Sequence, residues 1–308
     1  MTIAISLVVG DGVVLGTDSA TSIVLPGERY HNIYSNAEKT INLVKGLPIG
    51  LMTWGLGSMA GTSIASLARV LRDLLSGEDE DVPGWEIDRR TYTMEEVAGL
   101  VKTFFYDQLY VSHFGQPSHA PGTSDGDTDQ PPIGPAPERP SLGFVLAGFS
   151  ANAYLPEVWT IEVHEGGVCE GPTQIVPAGQ TGIVRFWAQP EALYRLVYGW
   201  SAEAHDRLVE AGLTHEAADA ILVSETQLAH PGMPIQDAID LVKYLADVTA
   251  GYLRFKPGAP VVGPPIDIAA ITRHQGFKWV SRKHYYPGEL NPVDPPRLDT
   301  PPPNWRQE

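Results

Sequence analysis

Residues 2–18 read TIAISLVVGDGVVLGTD, and this stretch decides the fold of the N-terminal part of the chain. From position 2 to position 9, strongly apolar side chains alternate with small or polar ones, which is the period of two of a β-strand with one buried face. Gly10-Asp11-Gly12 is a tight-turn signal, and a second apolar run ends at Asp18. A hairpin at this turn returns Asp18 to the start of the chain, so we expect a carboxylate beside Thr2.

Patterns of the same kind locate the later elements. A helix is expected to open at Gly55-Leu56-Gly57-Ser58, and a second one near Thr93, where Glu95 and Glu96 occupy the first turn. The other expected elements are strands at 39–44, 49–54, 142–149, 157–163, 266–272 and 277–281, and helices near 182–198, 214–229 and 235–252. This order of strands and paired helices indicates an α+β architecture of antiparallel sheets, and not a doubly wound parallel sheet.

Three segments are expected to lie outside the regular elements. Residues 22–36 are interpreted as a loop. At 115–140 the composition changes to Pro, Gly, Ser and Asp, which indicates an exposed insertion. The tail at 287–308 is rich in proline and is expected to be extended. We therefore expect one domain over residues 1–286, with the insertion inside it and the tail after it.

The bulk composition limits the partners. The formal net charge of −16 over 308 residues argues against a nucleic-acid partner, because phosphate binding needs concentrated Lys and Arg, and it also disfavours binding to an anionic membrane. Cys169 is the single cysteine and is interpreted as a structural thiol, while the N-terminus lacks a signal-peptide pattern and no apolar run is long enough to span a bilayer. The nine histidines show no metal-ligand spacing. These features predict a cytoplasmic protein without cofactor or metal, and leave a peptide or other small molecule as substrate.

Several motifs together resemble a known family, the proteasome β-subunits. The motifs are Thr2–Ile5 with Asp11–Asp18, Glu38–Ile41, Trp54–Gly57 and the stretch Gly263–Thr272, which looks like the penultimate strand of that family. Gly179–Gly182 is closer to the bacterial ancestral-β-type relatives. The resemblance covers most of the chain outside 115–140 and the tail. It implies an N-terminal nucleophile (Ntn) hydrolase with a four-layer α/β/β/α sandwich of antiparallel sheets, whose subunits assemble into homo-oligomeric rings or helical stacks.

The chemistry of the N-terminus can be stated independently of the resemblance. A threonine hydroxyl is a poor nucleophile and needs a base beside it. If Met1 is removed, Thr2 carries a free α-amine with a pKa of roughly 7.7–8.0, which can accept the hydroxyl proton. Nucleophile and base would then belong to one residue.

The resemblance also assigns roles to three further residues. It implies that Lys39 lies beside Thr2, that Asp18 pairs with Lys39, and that the Gly55 N–H, at a strand-to-helix junction, points at the developing oxyanion. The implied reaction is hydrolysis of an amide bond through an acyl-enzyme on Thr2, as in a threonine-type peptidase or amidohydrolase.

The sequence departs from the family in one region. Active β-subunits usually carry Asp-Ser-x-Ser-Gly-Gly before the penultimate strand, whereas this chain reads GAPVVG at 258–263, with neither Asp nor Ser. Asp247 or Thr249 in the preceding helix, and Thr181, are candidates to substitute for these groups. The departure favours a rival hypothesis, a non-catalytic scaffold subunit that keeps the fold and the self-assembly.

Other interpretations of the motifs stay open at this point. Asp18 can be an ordinary strand-end residue, and Lys39 a solvated edge charge. Gly55–Ala60 fits the dinucleotide-binding form G-x-G-x-x-A, an interpretation that requires a parallel sheet. Asp125–Asp129 imitates the start of an EF-hand loop but lacks its Gly and Glu, and Gly148–Asn152 lacks the final Gly of a nucleophile elbow.

Overall fold

The computed structural model describes residues 2–24, 31–77, 84–117, 139–222, 226–257 and 262–283. The strands are β1 (Ile3–Val9), β2 (Gly12–Thr17), β3 (Thr21–Val24), β4 (His31–Tyr34), β5 (Thr40–Asn42), β6 (Ile49–Gly55), β7 (Ser58–Met59), β8 (Thr62–Ser63), β9 (Leu142–Gly148), β10 (Glu157–Val163), β11 (Cys169–Val176), β12 (Ile183–Ala188), β13 (Asp267–Thr272) and β14 (Gly276–Ser281). The helices are α1 (Ile64–Leu75), α2 (Met94–Lys102), α3 (Val111–Phe114), α4 (Glu191–Leu193), α5 (Ala202–Glu210), α6 (His215–Leu222) and α7 (Ile235–Phe255). π-Helical turns at Thr103–Tyr110 and Tyr194–Tyr198 continue α2 and α4.

Two five-stranded sheets form the centre of the molecule. Their strand orders are β12-β1-β2-β13-β14 and β11-β10-β9-β6-β5, and neighbouring strands in both sheets run antiparallel. The expected mixed α/β architecture with antiparallel sheets is therefore confirmed. The N-terminal hairpin is antiparallel, with Ala4 opposite Thr17, so the parallel sheet required by the dinucleotide-binding interpretation of Gly55–Ala60 is wrong.

The alternation along β1 separates two hydrophobic clusters. Ile3, Ile5, Leu7 and Val9 pack with side chains of α7, whereas Ala4 and Val8 pack with side chains of the second sheet. A third cluster joins α1 and α2 to β6, β9 and β10. Because side chains two residues apart share a face of a strand, Thr2 belongs to the face that Ala4 and Val8 turn toward the second sheet.

Two strands of the five-stranded sheets, β11 and β12, were missing from the sequence-based expectation. The helix expected near 182–198 begins as strand β12, which pairs with β1. The segment Ile183–Trp187 is rich in β-branched and aromatic residues, which suit a strand, and only the residues after Pro190 are helical. Strand β11 contains Gly171 and Pro172, which are depleted from strand interiors but tolerated here because β11 is an edge strand with irregular register.

The helix expected to open at 55–58 begins later. A small hairpin, β7–β8, comes first, and α1 starts at Ile64 with Ser63 as its N-cap. The loop expected at 22–36 contains the short antiparallel pair β3–β4. By contrast, the helix expected near Thr93 is confirmed, since Thr93 and Glu96 form a capping box at the start of α2.

Some expectations fall on parts of the chain that the structure does not describe. Residues 118–138 of the expected insertion, which include Asp125–Asp129, and residues 284–308, which include the tail, lie outside the described ranges. No helix in the described ranges is both long enough and apolar enough to cross a membrane.

Candidate active site

The structure brings Thr2, Asp18 and Lys39 together at the end of the two sheets. Lys39 Nζ lies 2.8 Å from Thr2 Oγ1 and 2.7 Å from Asp18 Oδ1, and it also donates to the backbone oxygen of Ala20. All three side chains are buried, with residue exposures of 3% for Thr2, 0% for Asp18 and 6% for Lys39. A solvated edge charge would not have these partners, so that interpretation of Lys39 is wrong.

The β1–β2 hairpin positions the Asp18 carboxylate. Asp18 Oδ1 accepts a hydrogen bond from the Ile3 N–H at 3.0 Å, and Oδ2 accepts from the Ala20 N–H at 3.0 Å and from the Gly263 N–H at 3.4 Å. The backbone N–H of Asp18 donates in turn to the Ile3 oxygen at 3.4 Å. The carboxylate is thus held by backbone groups beside Thr2, as the turn at 10–12 predicted.

Strand β5 positions Lys39 from the other sheet. Lys39 immediately precedes β5, and its carbonyl accepts from the Thr53 N–H of β6 at 2.9 Å. Thr40, the next residue, lies with its Oγ1 2.9 Å from Thr17 Oγ1 of β2. This buried bond ties the two sheets together one residue away from both Asp18 and Lys39.

Burial sets the protonation behaviour of Lys39. Loss of solvent is the largest influence and lowers the pKa of the ammonium below its ordinary value, while the charge and the hydrogen bond of Asp18 oppose this. The positive charge of Lys283 lowers the pKa further, and Asp267 raises it. The ammonium is therefore a better proton donor than a solvated lysine, and it lies against the Thr2 hydroxyl.

Gly55 is the last residue of β6, and its conformation requires a glycine. Its φ is +84°, and a Cβ built on it would lie 2.4 Å from the backbone oxygen of Ser141. The Thr53 N–H points toward β5, and the alternation of an antiparallel ladder puts the Gly55 N–H on the same side. The expected strand-to-helix junction is wrong, because β6 leads into the β7–β8 hairpin. The oxyanion role of Gly55 stays a prediction.

A cavity of about 880 Å³ opens beside these groups. Its lining includes Thr2, Lys39, Thr53 and Gly55 together with residues of α1 and of the segment 34–38. Thr53 Oγ1 is buried and has no hydrogen-bond partner in the described part of the chain. A buried hydroxyl without a partner at a cavity wall is suited to bind a water molecule or a polar group of a ligand.

The groups considered as substitutes for the missing Asp-Ser-x-Ser element are not at the site. Asp247 is exposed on α7, and the Thr249 hydroxyl donates to the Leu245 oxygen at 2.9 Å inside the same helix. Thr181 lies just before the start of β12, where Ile183 pairs with Val8 near the end of β1. Thr2 lies at the opposite end of β1. These three predictions are wrong. Of the departing region, residues 258–261 lie outside the described ranges.

Sequence reasoning missed a second buried ion pair next to the first. Lys283 Nζ pairs with Asp267 Oδ2 and lies 2.8 Å from Ser19 Oγ, and the two charged side chains are 6% and 1% exposed. Asp267 begins β13, and Lys283 follows the end of β14. The sequence did contain a signal for this pair, because Asp267 and Lys283 carry opposite charges at the two open ends of the hairpin expected from the strands at 266–272 and 277–281.

Comparisons with known proteins add a structural likeness. No family model matches the chain, and no curated protein matches it. Among solved structures, the chain is similar to Anbu.

Three Anbu structures document this likeness. A Gly-1 mutant of Anbu from Hyphomicrobium sp. strain MC1 is 14% identical, with 93% of this chain and 90% of that chain covered and a TM-score of 0.48. A second Anbu structure from that strain is 14% identical with 92% and 88% covered and a TM-score of 0.47, and a helical assembly of the Anbu complex from Pseudomonas aeruginosa has the same identity and coverage and a TM-score of 0.42. At this identity, and with TM-scores below 0.5, the matches assign no activity to the chain.

The described residues offer no obvious metal site. No group of three or more His, Cys, Asp or Glu side chains within these ranges is arranged to hold a metal ion. Cys169 is half-buried, and burial raises the pKa of its thiol to about 11, so the thiolate that would bind a metal or attack a substrate is disfavoured at neutral pH.

Proposed function

We propose that this chain is an N-terminal threonine hydrolase that cleaves an amide bond in a peptide or smaller amide through an acyl-enzyme on Thr2. The observation that carries the proposal is the contact of 2.8 Å between Lys39 Nζ and Thr2 Oγ1, at the wall of a cavity and with Asp18 behind the lysine. The proposal requires removal of Met1, which frees the α-amine of Thr2. Met before a small residue such as Thr is the usual substrate for that removal.

The proposed first step is acylation. The α-amine of Thr2 takes the hydroxyl proton, Oγ1 forms a bond to the carbonyl carbon, and the carbonyl electron pair moves onto oxygen. Collapse of this intermediate expels the amine, which receives the proton from the α-amine of Thr2. The Lys39 ammonium stabilises the negative charge that develops on Oγ1, and Asp18 holds the ammonium in place.

The second step is deacylation by water. The α-amine accepts a proton from the water molecule, the water oxygen bonds to the ester carbon, and Oγ1 leaves with a proton to restore the hydroxyl. In both steps we assign the Gly55 N–H to the oxyanion. Two observations support this role: the Gly55 N–H lies on the same side of β6 as the Thr53 N–H, and Gly55 lines the cavity. One such donor is typically worth about 3 kcal/mol of transition-state stabilisation.

The proposal extends to architecture and assembly. We assign the chain to the proteasome-like Ntn hydrolases, nearest to the bacterial ancestral-β-type relatives, with one α/β/β/α domain over residues 1–286. The three hydrophobic clusters, one between the sheets and one on the outer side of each, support the four layers. We further propose a cytoplasmic homo-oligomer, a ring or a helical stack, without a nucleic-acid or membrane partner, which the net charge of −16 supports.

The experiment is intact-mass spectrometry of the purified protein before and after exposure to an epoxyketone or β-lactone electrophile. We expect loss of Met1 and a single adduct on Thr2 that Lys39→Ala abolishes. Lys102→Ala is the matched control, because Lys102 forms an exposed ion pair with Asp107 on the surface. In this variant the adduct on Thr2 should form at the wild-type rate. Retained Met1, or a free Thr2 that never reacts, would contradict the proposal and favour the non-catalytic scaffold.

A further inference from the structure

A second Lys–Asp pair lies directly behind the first. The Lys283 ammonium binds Asp267 and Ser19 Oγ, and the Lys283 N–H donates to Asp267 Oδ1 at 2.9 Å. Ser19 is fully buried, and its hydroxyl donates to the Pro265 oxygen at 2.6 Å. Among the described residues, Ser19 is the hydrogen-bond partner that links this pair to the rest of the chain.

Ser19 connects this pair to the groups that hold Lys39. It lies between Asp18 and Ala20, which supply the carboxylate and the carbonyl oxygen that accept hydrogen bonds from the Lys39 ammonium. The Ser19 N–H also donates to the Gly263 oxygen at 3.4 Å. A shift of Ser19 would therefore move both acceptors of Lys39 at once.

Stability alone does not explain a buried pair of this kind. Removing two charges from water costs several kcal/mol for each ion, and apolar side chains of similar volume are often equally or more stabilising at such positions. The pair also contributes to the field at Lys39, since Lys283 lowers the pKa of that ammonium and Asp267 raises it. An apolar replacement of the pair would lack the hydrogen bond from the Lys283 ammonium to Ser19 Oγ.

We propose that Lys283 and Asp267 are positioning residues that act through Ser19 to hold residues 18–20 in place. They thereby fix Lys39 Nζ against Thr2 Oγ1. The expected effect on the reaction of Thr2 rests on the proposed function. The expected effect on the position of Lys39 does not.

The kinetic test uses Ser19→Ala and the double variant Asp267→Leu/Lys283→Met, which replaces the pair by apolar side chains without leaving a bare charge. We expect the limiting rate constant of adduct formation on Thr2 to fall by about tenfold or more in both, because small displacements of reacting groups are costly. Tyr92→Phe is the control, since it also removes one buried hydroxyl that donates to a backbone oxygen. The Tyr92 hydroxyl lies 2.8 Å from the Phe149 carbonyl oxygen. The limiting rate of this control should match wild type even if its unfolding midpoint falls.

The structural test is a crystal structure of each variant. In both variants the contact between residue 19 and residue 283 is lost. We therefore expect the distance from Lys39 Nζ to Thr2 Oγ1, which is 2.8 Å in wild type, to exceed hydrogen-bond range. An unchanged distance, or an unchanged limiting rate in folded variants of an active wild type, would overturn the inference. If wild type forms no adduct, the proposed function fails, and the distance still decides whether Ser19, Asp267 and Lys283 position Lys39.

Discussion

Lys39 is the residue on which the candidate site converges. Its ammonium contacts Thr2, Asp18 and Ala20 while its side chain is almost withdrawn from solvent. Desolvation alone would favour the neutral amine, and Asp18 is the partner that opposes it. Such a pair is costly to break, because the surviving partner remains as an uncompensated buried charge.

The first prediction concerns this pair. Lys39→Met should lower the free energy of unfolding by about 3–5 kcal/mol, since it leaves the Asp18 carboxylate buried and unpaired. Asp18→Asn/Lys39→Met should recover much of that loss without restoring reaction at Thr2. Urea unfolding measures both variants. Lys102→Met, which breaks the exposed pair with Asp107, should change stability by about 1 kcal/mol or less, and an equal loss in the two Lys→Met variants would contradict the buried-pair argument.

The second prediction separates two consequences of adding a side chain to a glycine. Gly55 and Gly61 both have positive φ, +84° and +78°, but only Gly55 has a backbone oxygen, that of Ser141, within 2.4 Å of a built Cβ. Gly61→Ala should therefore cost about 1–3 kcal/mol from strain alone and leave the adduct rate unchanged. Gly55→Ala should cost more and should also slow adduct formation, because the end of β6 must move. Equal effects on the rate would argue against a role for Gly55.

At the scale of elements, the site depends on how two sheets are joined. Asp18 follows β2 in one sheet, and Lys39 precedes β5 in the other. The hydrogen bond between Thr17 and Thr40 crosses from sheet to sheet at the adjacent residues. The distance between carboxylate and ammonium is thus determined by sheet packing and not by either strand alone.

The third prediction tests this connection between the sheets. Thr40→Val removes one hydroxyl and leaves Thr17 with a buried hydroxyl that has lost its partner, so it should cost about 1–3 kcal/mol and slow adduct formation. Thr17→Val/Thr40→Val replaces both hydroxyls by methyl groups of similar shape and should be nearer to wild type in stability. Unfolding in urea gives the comparison. A double variant that is less stable than Thr40→Val would show that the bond is not the relevant interaction.

At the scale of the whole molecule, each face of the two sheets is occupied. Side chains of β1 pack against α7 on one side and against the second sheet on the other, and α1 and α2 pack against the second sheet. The cavity at Thr2 opens at one end of this arrangement. The proposed function includes assembly of this domain into a homo-oligomer.

The fourth prediction is the mass of that assembly. Light scattering after size exclusion should give a multiple of the chain mass of 33.4 kDa. Because each chain carries a formal charge of −16, the chains repel one another, and added salt should stabilise the oligomer by screening. A mass of one chain at all salt and protein concentrations would contradict the expected homo-oligomer.

Local patterns in the sequence were sufficient for much of the fold. The period of two in residues 2–9, the turn at 10–12 and the capping box at Thr93 each depend on neighbouring residues, and the structure contains the corresponding hairpin and helix. They failed for β12, whose pairing partner β1 lies far away in the chain, and for β11, which pairs with the preceding strand β10 but contains residues that are unfavourable in strands. The breaker residues of β11 are tolerated only because of its edge position, which local sequence does not reveal.

The sequence by itself determined that Asp18 returns to Thr2, because a two-stranded hairpin with a short turn leaves its ends no alternative. The family motifs added the expectation that Lys39 joins them. Only the tertiary structure decided that Asp267 and Lys283 lie behind this group, and that Asp247, Thr249 and Thr181 do not reach it. The contact of Ser19 with Lys283 joins residues 264 positions apart, and such contacts depend on the packing of complete sheets and not on any local preference.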